Sequence, residues 1–342
     1  MNEQLRAAKI ALIAAGGTIS MTRDGHTGKS VSTLHATELF ADLALDAQVA
    51  VQLIDAPMHP GDTRQPDSLL QFARWLQTIA DSTENGGVDG IVVSQGTDSM
   101  EDSVYFVDEA LSVDIPVVCT GAMRPAWAAG CDGKRNVENA VRVACAVTGE
   151  YGTLVTMNDE IYPAWSVYKT DTTALDAFTV RRGSGVGRIF GDQVLLTWRP
   201  LPRVRFRRIP ETLPSTVPIL AMGVADDAAL LGTVSDRPVH GLVIASIAAG
   251  SLPPMVYQRV LQVAEQGVPI VLCSSAAQGR TAEEYYYPHA YDELRAAGVM
   301  IEDWLSPRKT RIRLMLSIGL HEPYRPFGEE FRQSFAKRIA TP

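Results

Sequence analysis

Three short polar motifs in the chain carry side chains that can do nucleophilic chemistry. Thr18 follows a pair of glycines at the end of an apolar run, and Thr97 and Asp98 follow a glycine after a second such run. Lys169 stands among threonines further along the chain. A threonine hydroxyl is a weak nucleophile at neutral pH and needs a base or a proton relay. Burial lowers the pKa of a lysine, so a partly desolvated Lys169 could supply that relay.

Taken singly, each of these motifs also has an ordinary structural interpretation. A Gly-Gly-Thr sequence is typical of a tight turn, and a lone lysine among threonines is typical of a solvated surface. Ser99 and Asp102 fit the Ser/Thr-x-x-Asp/Glu pattern that opens a helix. Thr97 and Asp98 would then lie at a helix N-terminus, where free N–H groups and the helix dipole favour negative charge.

The elements that must position these residues are predicted from the hydrophobic pattern. Short apolar runs rich in β-branched residues alternate with amphipathic stretches, which indicates a parallel sheet with helices on both faces. The predicted strands are 9–15, 49–54, 88–94, 116–120 and 152–157, and the predicted helices are 67–81, 99–111 and 136–147. In such sheets ligands bind beyond the carboxyl ends of the strands. The motifs of Thr18 and of Thr97 and Asp98 both follow predicted strand ends.

A segment rich in proline and arginine predicts the domain boundary. Residues 199–218 hold five prolines and five arginines, which excludes a helix or a central strand. We therefore predict an α/β protein in which a larger N-terminal domain, 1–198, has a mostly parallel sheet with flanking helices. A linker, 199–216, leads to a smaller C-terminal α/β domain, 217–342. Its predicted strands are 217–224, 241–247 and 268–274, and its predicted helices are 254–266 and 306–317.

Composition excludes several classes of function. The net charge of −8 and the pI near 5.3 argue against nucleic-acid binding, which needs a clustered basic surface. No apolar stretch approaches the roughly 18 residues of a membrane span, and the apolar run at 10–15 is too short for a signal peptide. The four cysteines have no C-x-x-C spacing, which favours a reduced, cytoplasmic protein. The six histidines have no metal-binding spacing, which argues against a metal hydrolase. No G-x-G-x-x-G fingerprint follows the first strand, which argues against a nucleotide-binding oxidoreductase.

The motifs together resemble those of the bacterial-type L-asparaginase (asparaginase/glutaminase) family. The resemblance spans residues 9 to about 318 and includes two ordered threonine motifs and a distal lysine. Its matching blocks are 13–19 (Ile-Ala-Ala-Gly-Gly-Thr-Ile), 93–101 (Val-Ser-Gln-Gly-Thr-Asp-Ser-Met-Glu), 121–125 (Gly-Ala-Met-Arg-Pro), Asp132-Gly133, Asn136, 157–159 (Met-Asn-Asp), 169–173 (Lys-Thr-Asp-Thr-Thr) and 306–311 (Ser-Pro-Arg-Lys-Thr-Arg).

The resemblance implies hydrolysis of a small-molecule amide, with L-asparagine as the expected substrate, through an acyl-enzyme ester on a threonine. It also implies that no metal or organic cofactor takes part. Thr18 is then the nucleophile, while Thr97, Asp98 and Lys169 activate a hydroxyl or water and bind the substrate amine. The implied substrate-binding residues are Gly61, Asp62, Gly96, Ala122 and Ser251. The family also implies a homodimer or homotetramer with shared sites, in which Ser251 completes a neighbouring subunit's site. The structural alternative is that Ser251 only caps the helix predicted over 254–266.

Four departures from the family pattern keep other substrates open. Gln95 stands where the family commonly has histidine, and Gly61 offers no side-chain donor for a substrate carboxylate. No tyrosine in 21–32 matches the family's loop tyrosine, and Glu283 and Tyr285 are only the nearest candidates for a second-domain glutamate. The alternatives are the same chemistry on glutamine or on a specialised amide, and a non-catalytic binding homologue.

Overall fold

The computed structural model describes residues 7–57, 66–181, 183–198, 205–236, 239–281 and 291–327. The chain divides into two compact units between Ile209 and Pro210. This division lies within the segment interpreted above as a linker. Because residues 199–204 lie outside the described residues, the bounds of the linker stay a prediction.

The first unit alternates strands and helices along most of its length. Its strands are β1 Ala8–Ala15, β2 Met21–Arg23, β3 Ser30–Ser32, β4 Val49–Asp55, β5 Gly90–Gln95, β6 Val117–Thr120, β7 Thr153–Met157, β8 Glu160–Pro163, β9 Val167–Lys169, β10 Phe178–Val180, β11 Gly187–Phe190 and β12 Gln193–Leu196. Its α-helices are α1 Ala36–Leu39, α2 Pro66–Asp81, α3 Met100–Ala110 and α4 Gly133–Ala146.

Eight of these strands form one sheet, in the order β12-β11-β8-β7-β6-β5-β1-β4. The five adjacent strands β7, β6, β5, β1 and β4 are mutually parallel. Strands β8, β11 and β12 extend the sheet in antiparallel fashion. The predicted parallel strands and the helices between them are therefore confirmed, with bounds within three residues. The antiparallel extension, the β2–β3 hairpin and the β9–β10 hairpin are absent from the sequence prediction.

The core of the first unit lies on both faces of the inner parallel strands β1, β5, β6 and β7, whereas the edge strand β4 is largely exposed. Side chains alternate in direction along a strand, so Ile10, Leu12 and Ala14 of β1 share one face with Val92 of β5. These residues pack with buried side chains of α1 and α4. The opposite face is covered by α2 and α3, whose inward residues include Phe72 and Val104. A sheet buried on both faces needs apolar residues at almost every position, which explains the continuous apolar runs in the sequence.

The strand order reverses between β1 and β5. The chain passes from β1 outward to the edge strand β4 and then returns to β5 on the other side of β1. At such a reversal the connections from neighbouring strands leave toward opposite faces of the sheet, and a crevice opens between them. The loops that begin at the carboxyl ends of β1 and β5 carry Thr18 and Thr97, so the topology opens the crevice beside both threonines.

The two loops touch through their glycines. Gly17 has φ +87°, and a Cβ atom built on it would lie 2.4 Å from Gly96 Cα and 2.7 Å from the carbonyl carbon of Gln95. Real Cβ atoms do not approach backbone so closely, and the left-handed conformation disfavours a side chain as well. Glycine at position 17 is thus required twice, for its backbone angle and for the contact between the loops.

The second unit has a smaller sheet with four parallel strands in the order β13-β14-β15-β16. Its core includes Leu242, Ile244 and Val260. The strands are β13 Ile219–Ala221, β14 Leu242–Ser246, β15 Ile270–Ser274 and β16 Met300–Glu302, and the helices are α5 Ala229–Asp236, α6 Pro254–Glu265, α7 Tyr291–Ala296 and α8 Pro307–Gly319. Within the described residues, none of the helices has the length and apolar character needed to cross a bilayer.

We expect Gly17→Ala to destabilise the protein much more than Gly86→Ala. Gly86 has the same φ of +87°, but a Cβ atom there meets nothing within 4 Å. The Gly86 variant should therefore show only the backbone cost, about 1 kcal/mol. The Gly17 variant adds the clash with Gly96, so the total loss should be at least about 3 kcal/mol.

Urea denaturation of both variants and the wild type measures this difference directly. Equal losses of unfolding free energy in the two variants would show that the loops do not depend on the contact between Gly17 and Gly96.

Candidate active site

Thr18 opens a single turn of 3-10 helix that ends the first loop. The turn covers Thr18–Ser20, and both the backbone N–H and the hydroxyl of Ser20 donate to Gly17 O, at 3.0 and 2.9 Å. These two bonds anchor the turn on its buried side, because Ser20 is buried while Thr18 is only half-buried. The Thr18 side chain is therefore held on a tight turn at the carboxyl end of β1 and stays accessible.

Thr97 lies directly beyond β5 and is 7% exposed. The neighbouring Asp98 is exposed, and its Oδ1 accepts a hydrogen bond of 2.9 Å from Ser99 N. Helix α3 then begins at Met100 without a side-chain cap hydrogen bond from Ser99. The predicted helix start after Ser99 is confirmed, whereas its side chain makes no capping hydrogen bond. Ser99 has φ −104° and ψ −3°, whereas a capping side chain usually needs an extended backbone.

Lys169 contacts Thr97 although the two residues are far apart in sequence. It is the last residue of β9, which pairs in antiparallel fashion with β10. Its Nζ donates to Thr97 Oγ1 at 2.8 Å, across 72 residues of sequence. The Lys169 ammonium also lies 5.8 Å from the centroid of the Phe178 ring. A threonine hydroxyl bonded to a lysine amine is a pair through which a proton can move.

The loop after β6 forms the third wall of the site. A Cβ atom on Gly121 would lie 2.6 Å from Gln95 O and 3.1 Å from Thr97 Cγ2, so this loop packs directly on the Thr97 loop. The Asp132 carboxylate holds the loop by accepting bonds from the backbone N–H groups of Met123 and Arg124, at 2.9–3.1 Å.

Asn136 strengthens this wall from α4. Its Nδ2 donates to Gly121 O at 3.0 Å and to Asp132 Oδ2 at 2.9 Å. Ala122, between these anchors, is fully buried. From the sequence, Asp132 and Asn136 are identified only as parts of blocks that match the family, without a structural role. The short interval from 121 to 136, with Asp and Asn at its end, was the available signal that they clamp their own loop.

Gln95 supports the Thr97 loop from behind. Its side chain is fully buried, and its Oε1 accepts a bond of 2.8 Å from Ser103 Oγ on α3. Its amide also lies beside the Cys119 thiol. Burial raises the pKa of Cys119 to about 12, and the smaller effect of the Gln95 amide in the opposite direction does not offset it. Cys119 therefore stays a neutral core residue, and Gln95 ties the last residue of β5 to α3.

The structure gathers most of the predicted site residues of the first unit at one edge of the sheet. Thr97 and Lys169 are bonded directly, and Thr18 lies next to the contact between the two glycine loops. Gly96 and Ala122 lie in the loops that touch there. Gly61, Asp62, Glu283 and Tyr285 lie outside the described residues.

Ser251 belongs to the second unit and is exposed at the end of a tight turn. Its N–H donates to Ile247 O at 2.9 Å, and Ala248 in the same turn has φ +47°. Helix α6 begins at Pro254 with Pro253 as its N-cap residue and no side-chain cap bond. The alternative interpretation of Ser251 as the cap of this helix is therefore wrong, since the proline already sets the backbone angle of the helix start.

Among the described residues, no group of three or more histidine, cysteine, aspartate or glutamate side chains is arranged to hold a metal ion. The described residues around Thr18 and Thr97 offer hydroxyl, amine, carboxylate and backbone N–H groups.

Comparison with protein families agrees with the division of the chain. Residues 9–202 match the model described as Asparaginase, N-terminal, and residues 216–326 match the Glutaminase/Asparaginase C-terminal domain.

Three curated relatives cover nearly the whole chain. A probable L-asparaginase of Deinococcus radiodurans is 32% identical, over 91% of this chain and 93% of its own length. The glutaminase-asparaginase of Pseudomonas fluorescens is 29% identical, over 92% and 87%. A probable periplasmic L-asparaginase of Haemophilus influenzae is 28% identical, over 90% and 88%. On the two family models and these relatives, this chain belongs to the asparaginase family of amidohydrolases.

Proposed function

We propose that the protein hydrolyses the side-chain amide of L-asparagine to L-aspartate and ammonia. The observation that carries this proposal is the hydrogen bond between Lys169 and Thr97, formed beside the loop that presents Thr18. It supplies a proton path next to a second, accessible hydroxyl. The names of the relatives favour asparagine as the substrate.

In the proposed first step, Thr18 Oγ adds to the amide carbonyl carbon. The hydroxyl proton is passed to the leaving nitrogen, the C–N bond breaks, and ammonia departs from a Thr18 ester. Backbone N–H groups around Gly96 and Asp98 would stabilise the oxyanion that forms in between, and one such donor is typically worth about 3 kcal/mol.

In the proposed second step, water cleaves the ester. Thr97 and the neutral form of Lys169 take a proton from the attacking water, and the Thr18 hydroxyl leaves with the proton returned to it. Both steps need a proton to move without a metal ion or an organic cofactor, which suits a hydroxyl–amine pair.

Asp98 is proposed to recognise the α-ammonium group of the substrate. Its carboxylate is exposed at the opening of the site, and its Oδ1 accepts a local backbone bond from Ser99 N. An exposed carboxylate beside a helix start favours a cationic partner over a second anion. Gly61 and Asp62 stay predicted contacts for the remaining substrate groups.

The assembly and location of the protein also stay proposals. We propose a homodimer or homotetramer in which Ser251 of one subunit completes the site of another, since Ser251 is exposed on a constrained turn. We expect the protein to act in the cytoplasm.

An ammonia-release assay over a panel of amides tests the proposed substrate. We expect L-asparagine to be the best substrate, ahead of L-glutamine, D-asparagine and N-acetyl-L-asparagine. The N-acetyl compound should lose about 2 kcal/mol of transition-state binding, roughly 30-fold in kcat/KM, because Asp98 loses its charged partner.

Two results of this panel would overturn the proposal in different ways. Preference for glutamine would favour the second candidate, which the name of the Pseudomonas fluorescens relative supports. Efficient cleavage of the N-acetyl amide would remove Asp98 from substrate recognition and indicate a specialised amide.

Replacement of Thr18 tests the nucleophile. We expect Thr18→Ala to lower kcat at least about 1,000-fold, since the other hydroxyl of the turn, that of Ser20, is buried and bonded to Gly17 O and so does not replace the lost nucleophile. Thr18→Ser keeps the hydroxyl and should retain measurable turnover. Acid-quenched wild-type protein should carry one substrate acyl group by mass spectrometry, and Thr18→Ala protein should carry none. A Thr18→Ala variant with near wild-type kcat and an acyl group would assign the nucleophile elsewhere.

Replacement of Lys169 separates a proton relay from a binding contact. We expect Lys169→Met to lower kcat roughly 100-fold or more with a smaller change in KM, because a relay acts in the transition state. Lys134→Met removes an exposed lysine from the start of α4 and should leave both constants unchanged. A Lys169→Met variant with normal kcat and a raised KM would reassign Lys169 to substrate binding.

A further inference from the structure

The ring of Phe178 is the second feature of the structure that approaches the Lys169 ammonium. The Nζ atom lies 5.8 Å from the ring centroid, within the range of a cation–π interaction, while it donates to Thr97 Oγ1 at 2.8 Å. Phe178 is 3% exposed, so the interaction is formed largely away from bulk water. Desolvation increases the attraction between a cation and a ring face.

The fold holds this ring in place through its backbone. Phe178 is the residue directly opposite Lys169 in the β9–β10 pair, and directly opposed side chains project from the same face of a sheet. The Tyr162 hydroxyl donates to Phe178 O at 2.9 Å, and Thr170 N donates to Ala177 O at 2.7 Å. Burial raises the pKa of Tyr162 to about 12, so its hydroxyl stays a donor through the neutral range.

Charged side chains also lie on the elements around Lys169. Asp98, Glu101 and Asp102 lie at or near the start of α3, which packs against β9, and Arg181 follows β10. Asp171 lies two residues beyond Lys169. Backbone bonds from Thr173 and Ala174 lower the pKa of Asp171, and the charge of Lys169 lowers it further. The contribution of the ring differs from these, because a benzene ring does not titrate and its effect stays constant with pH.

We propose that Phe178 is a positioning residue for Lys169. The face of the Phe178 ring holds the Lys169 ammonium group against Thr97 and favours the ammonium form over the neutral amine. This inference rests on the proposed role of Lys169 in proton transfer. The π electrons of the Phe178 ring, and not only its volume, set the pH at which Lys169 exchanges its proton.

Site-specific incorporation of fluorinated phenylalanines at position 178 tests the proposal. Successive fluorines withdraw electron density from the ring face while nearly keeping its size and its apolar character. The limb of the kcat/KM profile that reports Lys169 should move to lower pH with each fluorine, by about half a pH unit or more for the pentafluoro ring. The direction is the same whether the ammonium or the amine is the acting form, since both limbs follow the same proton.

A second measurement keeps the test independent of catalysis. The chain has six lysines, so protein labelled with 13C at lysine Cε gives few signals, and Lys169→Arg identifies the signal of Lys169. Its titration midpoint should fall with fluorination in the same order. Phe72 is buried in α2, and the same substitutions there serve as a control that should leave the Lys169 midpoint unchanged.

The outcomes separate this inference from the proposed function. Graded shifts at position 178 and none at position 72 support the inference, even when no amide in the panel is hydrolysed and the proposed function fails. If the enzyme is active but fluorination at position 178 changes neither its pH profile nor the titration midpoint of Lys169, the inference is overturned and the proposed function stays intact. Phe178→Leu adds a coarse check: it removes the ring, so it should lower kcat several-fold with KM within about twofold of the wild type.

Discussion

The site depends on one close contact, between the backbone of Gly17 and the backbone of Gly96. Two parallel strands end side by side at the reversal of the strand order, and their loops leave toward opposite faces of the sheet. A crevice at that point normally stays open between the loops. Here the absence of a Cβ atom on Gly17 lets the loops meet, so that the residues that follow each glycine, Thr18 and Thr97, flank a single opening. Every other feature of the site either supports one of these loops or reaches toward them.

The parallel half of the fold is readable from the sequence because its physics is local. Strands covered on both faces must be continuously apolar, and the helices between them must be amphipathic. The residues of each element therefore suffice to predict it. The antiparallel extension is different. β11 and β12 have four residues each, and exposed positions such as Arg188 and Phe190 alternate with covered ones. Runs of that length carry too few residues to distinguish a strand from a loop. They become strands through the pairing of β11 with β8 and of β12 with β11.

The site itself was predictable only in part, for the same reason. The hydroxyls of Thr18 and Thr97 stand next to glycines at predicted strand ends, so they were recognisable as candidates, and family resemblance distinguished them from ordinary turn residues. Their supports act across long intervals of sequence: Lys169 meets Thr97 across 72 residues, and Gly121 packs on the loop of Thr97 from the next strand. No local pattern records such a partner. Ser99 shows the limit of a local pattern: the helix begins after it as predicted, but its backbone angles do not give the side-chain cap bond.

The supports of the Thr97–Lys169 pair are of two physical kinds, and the difference matters for catalysis. Gln95, Asp132 and Asn136 act through directed hydrogen bonds that fix loop backbone, so they set where the reacting groups lie. Phe178 acts on Lys169 through a ring face, which attracts a cation without accepting its proton. A carboxylate in that position would compete for the proton that the proposed reaction must move. A ring restrains the same ammonium group and leaves the proton to travel through Thr97, which is the property that a relay between a hydroxyl and an amine requires.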